Sequence, residues 1–284
     1  MKQISGNVAV VTGGGSGIGR ALAHALAAEG ASVVVADILE RNARSIADEI
    51  IAKGGAAVPT TCDVSDRADV KRLKAEANSA YGPVTLLFAN AGATSFERLT
   101  DMSEQDLDWI VQVDLMGVAN CLLAFLPDMY AARSGHVVAT GSMAGVLPGW
   151  IPYHSAYSSA KAGVLGLMMN LRNEAAEFGV GATVLCPGGV ETSLKHNNSL
   201  YRPDRFGGPQ QTSVRIPEGS FKHVDILFRA PEEVAQMVLD SVRENRPMVV
   251  TDPTMRKAFM ESYVSVVLEA FDHAEAFDRR ARPG

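Results

Sequence analysis

Cysteine is sparse in this chain: Cys62, Cys121 and Cys186 are the only three among 284 residues. None falls in a CxxC or Cys/His spacing, so neither a zinc site nor a disulfide framework is implied, and buried thiols are the plain reading. Long apolar runs are missing as well. No stretch reads as the ~18 consecutive apolar residues of a membrane span, and the run 8–11 near the start is too brief for a secretory signal. Clusters of Lys and Arg are absent, and the formal charge is -6. That removes the electrostatic footprint of a nucleic-acid or membrane-surface binder. These absences predict a soluble, cytoplasmic protein in a reducing setting, with small-molecule partners, no nucleic acid and no membrane.

Glycine, by contrast, is plentiful, and its 26 residues gather in particular turns instead of forming low-complexity sequence. The apolar run 7–12 ends in Gly13-Gly14-Gly15-Ser16-Gly17-Ile18-Gly19, after which residues 20–29 have helical periodicity and stop at Gly30. Strand, glycine turn and helix in that order suit a dinucleotide: the glycines let backbone approach a pyrophosphate, and the helix N-terminus receives its charge. An ordinary strand-to-helix turn is the competing reading. A second apolar run, 32–36, ends at Asp37. A carboxylate there can accept hydrogen bonds from ribose hydroxyls and repel a 2′-phosphate, which favours NAD over NADP; it can also simply cap the next helix. Arg41 is the one nearby cation that argues the other way.

Further along, a helix is expected over 39–53, a strand over 56–62 closed by Asp63-Val64, a helix over 66–80 and a strand over 84–88. Asn90-Ala91-Gly92 follows at that strand's carboxyl end. Strands written as continuous apolar runs and alternating with helices argue for a parallel sheet covered on both faces. In the second half, a long helix spans 102–129, a strand 136–140, a helix 156–178, a strand 180–186, a helix 231–244 and a strand 248–251. Residues 254–277 carry an apolar helical stripe that needs a partner surface.

Within the helix 156–178, Tyr157 and Lys161 stand four residues apart and share a face. An ammonium held beside a phenol favours its ionised form, so the pair can act as a general acid and base. The same spacing also occurs on plain solvated helices.

Taken together these motifs resemble the short-chain dehydrogenase/reductase family over about residues 7–192. Thr12 with Gly13, Gly17 and Gly19 matches the family's TGxxxGxG turn, and Asp63 with Val64 its adenine-contacting pair. Asn90-Ala91-Gly92 matches its NAG segment, and Tyr157 with Lys161 its YxxxK. Pro187 and Gly188, with Val190 and Thr192, match a PGxxxT-like segment that in relatives contacts the nicotinamide end of the cofactor. The resemblance implies one Rossmann-type, doubly wound α/β domain over 1–284, with about seven parallel strands, helices on both faces and a C-terminal helical tail near 254–280. It assigns Ser142 to the substrate oxygen, though a turn-capping serine would look the same. It gives Lys161 the nicotinamide ribose as well as Tyr157.

Two departures stand out. Asp114 takes the place of an Asn that helps hold a water near the lysine in relatives; it can accept but, ionised, cannot donate, so a relay role is assigned to it. Ser142 also lies fifteen residues before Tyr157, a surplus read as an enlarged loop through residues 148–153 beside the substrate pocket. Residues 194–225 are expected to be a substrate lid, with Arg202 and Arg205 either recognising an acid or merely solvated.

The resulting expectation is an NAD-dependent enzyme that interconverts a secondary alcohol and a ketone. Trp150, Leu147, Met143 and the lid suggest a bulky apolar or aromatic substrate, and the Arg202-Pro203-Asp204-Arg205-Phe206 stretch resembles family members that oxidise benzylic alcohols. Relatives commonly form oligomers, so a homo-oligomer, dimer or tetramer, is expected. A noncatalytic dinucleotide-binding redox sensor and a sugar-nucleotide epimerase or dehydratase are the alternatives.

Overall fold

The first strand, β1 (Val8–Thr12), reads VAVVT with every residue buried, which only a strand covered on both faces can sustain. The computed structural model describes residues 3–196, 200–210 and 226–281. From β1 the chain alternates through α1 (Gly17–Ala28), β2 (Ser32–Asp37), α2 (Glu40–Ala52), β3 (Ala56–Thr61), α3 (Arg67–Tyr81) and β4 (Leu86–Ala89). It continues through α4 (Glu104–Val111), α5 (Gly117–Ala132), β5 (Gly135–Thr140), α6 (Met143–Val146), α7 (Ser155–Glu177) and β6 (Val180–Cys186). A short parallel pair, β7 (Gly189–Val190) and β8 (Phe228–Arg229), precedes α8 (Pro231–Glu244) and β9 (Met248–Val250).

Seven strands form one sheet in the order β3-β2-β1-β4-β5-β6-β9, all parallel. The order reverses between β1 and β4, so the carboxyl ends of those two strands flank a crevice where ligands of doubly wound sheets bind.

The pleat divides the core in two. Val10, Val34 and Leu87 face α3, α5 and α7, meeting Leu73, Phe125 and Val164. Val11, Val35 and Phe88 face α1, α2 and α8, meeting Leu22, Ile50 and Val238. A third, smaller cluster sits at the carboxyl end of the sheet and includes Trp109, Ala156, Tyr157 and Phe206.

The sheet, its parallel sense and the covering helices follow the sequence expectation, with element ends shifted by up to three residues. The expected long helix 102–129 differs. It begins at the Ser103 capping box and is interrupted by a π-helical turn at Gln112–Met116. The extra residue in that turn rotates Asp114 into the interior, where it is fully buried, and such insertions commonly mark functional positions. The whole helical stretch Glu104–Ala132 is long and apolar enough by composition to cross a membrane. No such run was expected from the sequence, in which Asp114, Gly117 and Asn120 interrupt the apolar residues. Half of its most apolar window is buried inside the domain, which accounts for the composition.

At the C-terminus the helical stripe is present. A π-helical turn, Phe259–Val264, leads into α9 (Ser265–Ala281), and neither has a buried residue. Val266, Leu268, Phe271 and Phe277 are all exposed.

Phe125 is among the largest fully buried side chains and joins α5 to the sheet. Phe125→Ala is expected to cost about 3–5 kcal/mol of unfolding free energy in a urea titration; a loss under about 1 kcal/mol would contradict this packing.

Candidate active site

Tyr157 lies in the first turn of α7 and Lys161 one turn on. Both side chains point inward and are buried, as a shared helix face requires. The lysine nitrogen stands 5.5 Å from the centre of the tyrosine ring. Helix α6 brings Ser142 to the pair by crossing α7 at Gly145, where a Cβ would come within 2.5 Å of the Lys161 backbone. Only glycine allows that approach. Ser142 is the N-cap of α6 and accepts the Ala144 N–H at 3.1 Å. Its own hydroxyl proton is therefore free to be donated, and the hydroxyl's nearness favours the ionised form of the Tyr157 phenol.

Lys161 is held by two acceptors. Its Nζ lies 2.7 Å from Asp114 Oδ1 and donates to the Thr140 carbonyl at the end of β5 at 3.0 Å. Asp114 also accepts the Ala93 N–H, at 3.2 Å to Oδ2. The ion pair is almost dry, with side-chain exposures of 3% and 0%. Two of the three ammonium donors are thus occupied, leaving one for the cleft.

The electrostatics follow from this pairing. Burial works against the Lys161 ammonium, but the attraction of Asp114 and of Tyr157 outweighs it and leaves the lysine above its ordinary pKa. Burial pushes the Asp114 carboxyl up, against the pull of Lys161 and the Ala93 N–H. Tyr157 is raised as well. Its burial is the largest influence, Lys161 and the Ser142 hydroxyl favour the phenolate, and the Asp114 charge opposes it. The expected downward tuning by lysine is therefore outweighed in the free chain, because the ammonium is shared with a carboxylate and the phenol is desolvated. Cys186, beneath Ser142, is pushed up to about 12, chiefly by burial, and stays a thiol.

A stack of three rings steadies the phenol. Phe96 and His154 lie 4.3 Å apart between centroids, and His154 and Tyr157 4.4 Å. His154 Nε2 lies 3.0 Å from Thr94 Oγ1. Burial pushes the imidazole down to about 4, so it is neutral near pH 7 and adds no charge beside Tyr157. Tyr153, the nearest other tyrosine in the chain, lies outside this cluster under Arg98.

This cluster opens onto a cleft of about 1030 Å³, counted with the open solvent at its mouth. It runs along the carboxyl ends of the strands. Gly13, Gly17 and Ile18 form its floor, and Asp37, Asp63 and Val64 one end. Asn90, Ala91, Gly92 and Asp114 lie at the middle, with Tyr157, Lys161, Pro187 and Thr192 at the other end.

Four expected residues stand behind this lining. Gly19 packs on the turn, where a Cβ would lie 2.1 Å from the Gly13 carbonyl. Ser142 reaches the cluster through Tyr157. Gly188 donates to Thr251 Oγ1 at 3.0 Å, and Val190 pairs with Arg229. Asn90 stitches three strands together, donating to the Thr12 carbonyl at 3.1 Å and accepting from Thr140 Oγ1 at 3.0 Å.

Some sequence inferences are corrected. Met143 and Leu147 are core residues, 3% and 2% exposed, because α6 turns them toward the sheet. They do not face the cleft. Trp109, Val113 and Leu194 supply its apolar wall instead. Arg202 is not solvated: it is 3% exposed and pairs with Asp106. Of the expected lid 194–225, residues 197–199 and 211–225 lie outside the described set. Tyr201 borders the cleft but belongs to none of the motifs, and only its place after Thr192 hinted at it. Among the described residues no group of three His, Cys, Asp or Glu could hold a metal.

Removing one partner of a buried ion pair leaves the other uncompensated. Asp114→Ala should lower unfolding free energy by about 3–5 kcal/mol, with Asp114→Asn losing less because its amide oxygen still accepts. Equal, near-zero losses in chemical denaturation would contradict the pairing.

Comparison with known proteins agrees with this geometry. The sequence profile described as short chain dehydrogenase matches residues 7–202. A C alpha-dehydrogenase of Sphingobium sp. strain SYK-6 is 28% identical over 284 residues, covering 99% of this chain and 92% of the relative. A 3-oxoacyl-(acyl-carrier-protein) reductase of Thermotoga maritima is 32% identical over 238 residues, 84% of this chain and 90% of its own. Among solved structures, a short chain dehydrogenase/reductase from Burkholderia phymatum in complex with NAD superposes with a TM-score of 0.86 at 30% identity, covering 95% of this chain and 97% of that one. With its profile, its sheet order and its Tyr157–Lys161 cluster in agreement, the chain belongs to the short-chain dehydrogenase/reductase family of oxidoreductases.

Proposed function

We propose that this chain is an NAD-dependent dehydrogenase that interconverts a secondary alcohol and a ketone on a bulky apolar or aromatic substrate. The observation that carries the proposal is the assembly of Ser142, Tyr157 and Lys161 at one end of a cleft whose other end carries Asp37. The cleft has the features a dinucleotide needs. Helix α1 starts beneath it with no side-chain cap and no acid in its first turn, leaving its N-terminal N–H groups for a pyrophosphate. Gly13 and Gly17 hold positive φ angles of 62° and 49°, which glycine adopts without strain. Asp37 accepts the N–H groups of Gly15 at 3.1 Å and Leu39 at 3.0 Å. So fixed, its carboxylate can still accept ribose hydroxyls and repels a 2′-phosphate. The structural neighbour in complex with NAD supports this choice.

The bound nicotinamide supplies the chemistry of hydride transfer. In the oxidation direction, Tyr157 as phenolate takes the proton of the alcohol while the carbon-bound hydrogen leaves as hydride. In reduction the phenol returns that proton to the oxygen. Ser142 donates to the same oxygen as its charge changes. The remaining donor of Lys161 is available to a ribose hydroxyl, and Asp114 holds the ammonium in place through a direct bond, a role that needs no relay water. Trp109, Val113 and Leu194 favour an apolar or aromatic substituent next to the reacting carbon. The exposed stripe of α9 supports a homo-oligomer.

Turnover followed at the absorbance band of reduced nicotinamide, with NAD and NADP against a panel of secondary alcohols, tests the assignment. Tyr157→Phe should reduce kcat by about 10²- to 10⁴-fold. An unchanged rate would sink the mechanism, and binding without turnover on any alcohol would favour a sensor. Asp37→Ala should shrink the preference for NAD over NADP.

Because the Asp114 charge disfavours the phenolate, Asp114→Asn should move the rising limb of alcohol oxidation to lower pH. The falling limb of ketone reduction should move the same way. A shift to higher pH would contradict the charge assignment.

A further inference from the structure

The outer edge of the cleft is built by part of the segment expected to cover the substrate. After Thr192 and Leu194 at the nicotinamide end, residues 200–208 lie across toward the opposite end. Two of their side chains reach over to the first turn of α2 and to the loop that follows β3. Tyr201 lines the cleft with Asp37 and Asp63, and its hydroxyl accepts a hydrogen bond from Asn42 Nδ2 of α2 at 3.3 Å. Arg205 Nη2 donates to Asp63 Oδ2 at 2.6 Å and to Ser65 Oγ at 2.6 Å.

The base of this segment is fixed. Arg202 pairs with Asp106 on α4 and donates to the Phe206 carbonyl, and its guanidinium stands 5.5 Å from the Trp109 ring centre. Phe206 is buried in the same small cluster as Tyr157. The two tips differ from this base: Arg205 retains 46% side-chain exposure and Tyr201 is half-buried. Each can swing aside without unpacking the root.

We propose that Tyr201 and Arg205 are cofactor-site residues whose side chains latch across the adenosine half of the cleft, so that a dinucleotide enters and leaves when the Tyr201–Asn42 and Arg205–Asp63 bonds part. The inference rests on the dinucleotide reading above. The Asp63 carboxylate, which the family resemblance assigns to the adenine, is already engaged by the Ser65 N–H at 3.0 Å and hydroxyl at 2.6 Å as well as by Arg205. An adenine amine must share or displace the Arg205 bond. That bond is exposed enough to be weak, as a latch that opens in every catalytic cycle requires.

Stopped-flow fluorescence of NADH binding and displacement tests this on the full chain. Arg205→Gln should raise both the association and the dissociation rate by about two- to fivefold, the factor that one exposed ion pair is worth. Tyr201→Phe should raise both by a smaller factor. Reduced nicotinamide mononucleotide, which lacks the adenosine, should exchange at the same rates in wild type and variants. NADH rates unchanged or slower in Arg205→Gln, or an equal acceleration of the mononucleotide, would overturn the latch. A wild-type chain that binds no NADH would overturn the dinucleotide reading itself and the latch with it.

Discussion

A single buried ion pair ties the catalytic end of this molecule together. Lys161 and Asp114 meet at 2.7 Å with almost no exposure, and removing two such charges from water costs several kcal/mol per ion unless geometry and hydrogen bonds return it. Here they do. Thr140 supplies a carbonyl to the ammonium and Ala93 an N–H to the carboxylate. The pair is satisfied only if α7, the π-helical turn, the loop after β4 and the end of β5 all stand in register. Those same elements border the cleft and carry Tyr157. The ion pair thus makes the geometry of the reacting end a condition of folding.

Burial and the pair together set the protonation of the neighbouring phenol. A lysine alone beside Tyr157 would pull the phenol toward ionisation. With Asp114 in contact the local charge is nearly balanced and burial dominates, which holds the phenol above its ordinary pKa. His154, stacked on the phenol and pushed down to about 4, preserves that balance at pH 7. The cleft is therefore electrically divided: a balanced end around Tyr157, and an acidic end at Asp37 and Asp63 where Arg205 is the nearest positive charge to Asp63. An acid at position 114 thus adds to burial in holding the phenol in its protonated form.

Much of this was legible in the chain itself, for identifiable physical reasons. β1 and β2 read as continuous apolar runs because helices cover both faces of the sheet. The glycine turn was visible because close backbone approach excludes every Cβ, as at Gly19. Tyr157 and Lys161 were visible because helical geometry turns a spacing of four into a shared face. Contacts between distant segments were not. Nothing local marks the π-helical turn that swings Asp114 into Lys161, since it is a compromise between helix continuity and the partner's position. Arg202 and Asp106 meet across 96 residues, and a guanidinium in a glycine- and proline-rich stretch looks the same whether solvated or buried. Met143 and Leu147 misled for a related reason: apolar residues after Ser142 suit a pocket wall or a core, and only the direction of α6 separates the two.

The central claim, that burial together with the balanced Lys161–Asp114 pair leaves Tyr157 a neutral phenol, is tested most directly by carbon-13 NMR. Tyrosine labelled at Cζ would be followed through a pH titration of the ligand-free chain, with Tyr157→Phe identifying the resonance. The account predicts that Tyr157 keeps its phenol shift beyond the pH of ~10 at which an unperturbed tyrosine ionises. A Tyr157 resonance that moves to the phenolate position below that pH would contradict it.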